Sequence, residues 1–116
     1  MSELTIYHNP RCSKSRQTLQ LIEQAGVKPE IVLYLETPPS AAQLQAIVAK
    51  LGISARQLLR KGEDAYKENN LADDGLSEAE LINKMVAFPK LIERPIVVKG
   101  EQAILGRPPE NVQSLL

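Results

Sequence analysis

The chain has 116 residues, 43% of them hydrophobic, with Lys+Arg and Asp+Glu both at 14, so no net field draws it to nucleic acid or to an anionic membrane. Three Tyr, one Phe and no Trp are too few for a base-stacking surface, and no apolar run approaches the length of a transmembrane helix. One cysteine excludes an internal disulfide and a cysteine-built metal site, so no metal is expected, and the lack of a signal-peptide pattern points to a reducing cytoplasm.

Residues 3–7, "ELTIY", read as a short strand that runs into the turn "HNP". A helix follows, with Thr18, Leu21, Ile22 and Ala25 on one face, stopped by Gly26. Residues 30–35, "EIVLYL", read as a buried strand, and "ETPPS" as its exit loop. Ser40 and Gln43 form a capping box ahead of the helical stripe Leu44, Ile47, Val48 and Leu51, which ends at Gly52. Ser54 opens a short helix through Arg60, and 61–76 is polar and irregular with a helical turn near Tyr66. Ser77 and Glu80 form a second box before Leu81, Ile82, Met85 and Val86, and Pro89 closes that helix. "PIVV" (95–98) and "QAIL" (102–105) read as an antiparallel hairpin, followed by a last helix near 109–115.

The order β-α-β, helices, hairpin, helix predicts an α/β chain with a four-stranded mixed sheet. This is a thioredoxin-like fold with a helical insertion before the C-terminal hairpin. No linker or repeat interrupts it, so residues 1–116 read as one domain with the insertion at roughly 40–92. Ligands of such sheets gather beyond the carboxyl ends of the parallel strands, where the turn holding Cys12 lies.

That turn, "YHNPRCSKSR", also holds the only histidine, His8. A helix start favours acidic residues, yet Arg11, Lys14 and Arg16 surround Cys12 here. A lone cysteine is ordinarily an inert small hydrophobe, but this one sits in polar company between a strand and a helix. The clustered cations make sense beside a thiolate, a bound oxyanion or both. A helix N-terminus with cationic neighbours lowers a thiol pKa from about 8.5 to roughly 3.5–7.5, and its free amides suit a tetrahedral anion.

"YHNPRCSKSR", "YLETPPS", "LGISARQLLRK", "RPIVV" and the "RP" at 107–108 together resemble the glutaredoxin-linked arsenate reductase family, in the same order and over nearly the whole chain. The resemblance implies a thioredoxin-like fold with Cys12 as the nucleophile and His8 favouring its thiolate. It puts Ser15 where a hydroxyl can donate to that thiolate, and Arg60, Arg94 and Arg107 on the oxyanion. It also implies a cis bond before Pro95 that faces the cysteine turn. Arsenate would be the substrate, glutathione the co-substrate with no bound cofactor, and a glutaredoxin the partner; nucleic acid and membrane are not expected partners, and a monomer is. Ser13 and Lys14 replace the small neutral residues that well-studied members carry, Arg11 is bulkier than their residue, and the chain ends soon after Arg107, as in a short branch of the family.

Other readings need different residues. A tyrosine-phosphatase-like loop requires C-x5-R, but Thr18 stands at the arginine position, and thioredoxin-coupled arsenate reductases require further cysteines. A monothiol glutaredoxin-like thiol transferase remains open. So does an Spx-like redox regulator that binds RNA polymerase, although Ser15 stands where its second cysteine would be.

Overall fold

Alternation in "LTIY" buries Leu4 and Ile6 and leaves Thr5 and Tyr7 half-buried, which makes strand β1 (Leu4–Tyr7) of this computed structural model, in which residues 4–116 are described. Glu3, the first residue of the expected strand, lies outside the described residues. On one side β1 pairs in parallel with β2 (Glu30–Val32), Thr5 facing Glu30 and Tyr7 facing Val32. On its other side it pairs antiparallel with β3 (Ile96–Lys99), which continues through a turn at Gly100, φ 59°, into β4 (Gln102–Leu105). The sheet order is β2-β1-β3-β4, the mixed four-stranded sheet of a thioredoxin-like fold.

The chain divides into two compact units. One joins the N-terminal segment through Thr37 to Arg94–Leu116; the other is Pro38–Glu93, where the helical insertion is expected. In the first unit, helix α1 (Ser13–Gln24) and the 3-10 helix Pro109–Leu115 pack together, enclosing Leu4, Ile6, Ile22, Val97, Val112 and Leu115. The buried stripe of α1 differs from the expected one: it runs through Ser15, Thr18 and Ile22, while Leu21 is half-buried and Ala25 exposed. Two polar residues can sit inward because hydrogen bonds satisfy them, Ser15 with His8 and Thr18 by donating to the Lys14 carbonyl at 2.8 Å.

β2 also departs from expectation. It is three residues long instead of the six of 30–35, and Ile31 is 46% exposed. It forms the edge of the sheet, with β1 as its neighbour on one side. Beyond Val32 the chain turns, the Leu33 carbonyl accepting the N–H groups of Glu36 and Thr37, each at 2.9 Å.

The second unit is built on capped helices. Ser40, Ser54 and Ser77 each accept the N–H three residues on, and the side chains of Gln43, Gln57 and Glu80 return the bond to the serine N–H. They start α2 (Ala41–Leu51), α3 (Ala55–Leu58) and α5 (Glu78–Ala87); α4 (Asp64–Glu68) is the helical turn at Tyr66. Leu44, Ile47, Leu58, Leu71, Leu81 and Met85 are among its buried side chains. α3 ends before Arg60, so that arginine is not at a helix end as the sequence suggests. Leu59 instead forms an isolated antiparallel bridge with Ile92, and the Arg60 N–H donates to the Leu91 carbonyl at 2.8 Å. Among the described residues no helix is long and apolar enough to cross a membrane.

Candidate active site

β1 delivers the chain into a turn in which Asn9 makes three bonds. Its carbonyl accepts the Cys12 N–H at 3.0 Å, its Oδ1 accepts the Arg11 N–H at 3.0 Å, and its own N–H donates to Ser15 Oγ at 3.0 Å. Cys12 thereby becomes the N-cap of α1, with extended backbone (φ −95°, ψ 124°), a position where Ser, Thr or Asp would normally hold the free amides of the first turn. Its side chain makes no cap bond of ordinary geometry, but the N–H groups of Ser15 and Lys14 act on the sulfur. Cys12 is 8% exposed.

Burial is the largest influence on the Cys12 thiol and pushes its pKa up. The Ser15 N–H, the charge of Arg94, the Lys14 N–H and a hydrogen bond from the Arg94 side chain outweigh it, so the thiol is more acidic than an ordinary cysteine. Nε and Nη1 of Arg94 are themselves buried. Arg94 precedes β3, so the sheet carries this guanidinium to the cysteine turn.

His8 is 6% exposed and its Nδ1 lies 2.6 Å from Ser15 Oγ. Burial lowers its pKa, Arg16 lowers it further and Glu23 opposes them, which favours the neutral ring. With the Asn9 N–H on one lone pair, the Ser15 hydroxyl can donate to an unprotonated Nδ1. The Ser15 hydroxyl lies against His8 and Asn9, and it is the Ser15 backbone N–H that acts on Cys12.

The Arg94–Pro95 bond is cis, as is Arg107–Pro108, which no sequence feature announced. Arg107 is exposed, its Nη1 3.5 Å from the Arg94 carbonyl. Gly106, which precedes it, bonds through its N–H to the Pro95 carbonyl at 3.0 Å, and a Cβ there would collide with Thr18 Oγ1 and Pro95 Cγ. The first unit thus gathers Cys12, His8, Ser15, Arg94, Pro95 and Arg107. Arg60 belongs to the second unit, paired with Glu63 at 3.1 Å and Glu93 at 3.8 Å. Arg16, which by its place in the sequence is no more than a nearby charge, makes a specific bond from Nη1 to the Pro10 carbonyl at 2.9 Å. Among the described residues no cluster of His, Cys, Asp and Glu could hold a metal ion.

A mixed sheet with one acidic thiol at the N-cap of the helix after β1, and a cis X-Pro bond before β3, defines a thioredoxin-like fold with a single cysteine at its first helix. The chain belongs to the ArsC family, whose model matches residues 7–115. It is 58% identical over 115 residues to the uncharacterized protein YfgD of Escherichia coli K12, covering 98% of this chain and 97% of that one. It is 50% identical over 112 residues to an arsenate reductase of Haemophilus influenzae, covering 96% and 97% of the two chains. Among solved structures, an arsenate reductase from Vibrio cholerae is similar with a TM-score of 0.95 at 50% identity, 97% of each chain being covered.

Proposed function

We propose that this protein reduces arsenate to arsenite, with glutathione and a glutaredoxin as reductants, as a monomer in the reducing cytoplasm. The observation that carries the reading is the Cys12 thiol held acidic by two helix amides and Arg94. Relatives named arsenate reductase over nearly the full chain support arsenate as the oxyanion. The Cys12 thiolate attacks arsenic, forming an S–As bond while one oxygen leaves with a proton as hydroxide or water. The adduct keeps negative oxygens, for which Arg94 and Arg107 supply permanently charged, planar donors. A glutathione thiolate then attacks the Cys12 sulfur. The S–As electron pair passes to arsenic, which falls from As(V) to As(III), and arsenite departs. Cys12 is left as a mixed disulfide with glutathione, which the glutaredoxin thiol cleaves to return the thiolate. His8 and Ser15 act by holding the turn that aims the amides at the sulfur. Against a redox regulator that switches through a dithiol, Ser15 stands where the second cysteine would be, while Arg94 at Cys12 suits an anion bound at the sulfur.

The test is purified protein with arsenate, glutathione, glutaredoxin and an NADPH-coupled reductase. Arsenate-dependent NADPH loss is expected, absent from Cys12→Ser. Disulfide-dependent NADPH loss with glutaredoxin omitted, above the rate of glutathione alone, and none with arsenate in the full system would make the protein a thiol transferase.

A further inference from the structure

The cysteine turn has a second side. His8, Asn9, Pro10 and Arg11 form one wall of a cleft of about 320 Å³, and Leu33, Leu35 and Glu36, from the turn after β2, form the other. The cleft opens where β1 and β2 end, at the carboxyl ends of the sheet's parallel pair, the position at which such sheets receive ligands. Its size suits a small molecule, at the lower end of the range of about 300–1,000 Å³. The arginines of the proposed reaction do not line it.

Its walls carry opposite charges on pinned backbones. Arg11 stands on a turn held by Asn9 Oδ1 at 3.0 Å, and Glu36 on one closed to the Leu33 carbonyl at 2.9 Å; both side chains are exposed. Leu35, 40% exposed, adds apolar surface. The fitting ligand has a cationic end, an anionic end and a short body between them. The chain also needs such a visitor, because Cys12 is its single cysteine and any disulfide it forms must take its second sulfur from outside. Cys12 follows Arg11 on the same turn, one Cα spacing of about 3.8 Å beyond the wall, so a ligand seated here lies beside the residue that carries the sulfur.

We propose that this cleft binds the small peptide thiol that resolves the Cys12 intermediate, its ammonium group towards Glu36 and a carboxylate towards Arg11. The use of the thiol rests on the reductase reading; its binding does not. The experiment titrates isotope-labelled Cys12→Ser protein, which can form no disulfide, with S-methylglutathione and follows backbone amides by NMR. Saturable shifts at residues 8–11 and 33–36 are expected. Arg11→Glu and Glu36→Lys should each raise Kd by about fivefold, the worth of a surface charge pair near 1 kcal/mol, while Lys28→Glu, outside the cleft, should not. Shifts centred elsewhere, the absence of saturable shifts, or equal weakening by all three charge changes would overturn the proposal. A protein that binds the ligand here yet never reduces arsenate would sink the reductase reading and leave the cleft assignment standing.

Discussion

Cys12 sits where an oxygen side chain would ordinarily cap α1, and sulfur in that place turns a structural position into a reactive one. Because the Ser15 and Lys14 amides and Arg94 outweigh burial, the thiolate should persist below the pH at which a free cysteine loses it. Alkylation by iodoacetamide should therefore reach its plateau at lower pH than for a free thiol and decline only as the lowered pKa is passed; a midpoint near 8.5 would contradict this. Arg94→Ala should shift that midpoint upward and cost roughly 10²–10³ in turnover, the usual loss for one charge-stabilising donor. Arg107→Ala should cost a similar factor in turnover with little effect on alkylation, and Arg16→Ala much less in turnover. Equal losses in all three would indicate a diffuse field. An acidic thiol at Cys12 was legible from its place at a helix start, but the cations crowded there in the sequence, Arg11, Lys14 and Arg16, are not the charge that acts on it; Arg94 is. The division of labour between Arg94 and Arg107 was not legible. Each stands before a proline in a similar dipeptide, and only the placement of β3 sets one guanidinium on the sulfur. The direction of the Ser15 hydroxyl was equally hidden, because a partner seven residues away on the preceding turn decides it.

Between elements, the joint that matters is Gly106. Its missing side chain lets the end of β4 lie against Thr18 of α1 and against Pro95, the residue after Arg94. Thr18 is fully buried and β-branched and Pro95 is a ring, so neither yields easily to an added methyl. Gly106→Ala should destabilise the protein by about 1–3 kcal/mol in denaturant unfolding, as overpacking does. It should also raise the Cys12 alkylation midpoint by displacing Arg94. A destabilised protein with an unchanged midpoint would make Gly106 a packing residue only. Helices with serine boxes were readable at this scale because Ser40 and Ser77 signal through local bonds three residues apart. The short extent of β2 was not, because an apolar run reads the same on an edge as in the middle of a sheet. Only the pairing of β1 with both β2 and β3 reveals which strand has an open side.

For the molecule as a whole, the decisive quantity is its count of one cysteine. Reducing arsenate takes two electrons, and a disulfide that delivers them needs two sulfurs. Nothing within the chain can provide the second, so the proposed reaction has to import it in every cycle. In the proposed reaction a small thiol suits an adduct beside Arg94 better than a bulky protein dithiol, and its carboxylates complement that charge. After a single turnover with arsenate and glutathione, mass spectrometry should find Cys12 carrying one glutathione. Glutaredoxin should then be needed for efficient recycling, since it attacks the glutathione sulfur and leaves Cys12 as the departing thiolate, whose lowered pKa makes it a good leaving group. Thioredoxin and its reductase without glutathione should support little turnover at equal concentration. Full activity with thioredoxin alone would mean that a protein dithiol reaches the Cys12 adduct directly, and the small-thiol step would have to be abandoned.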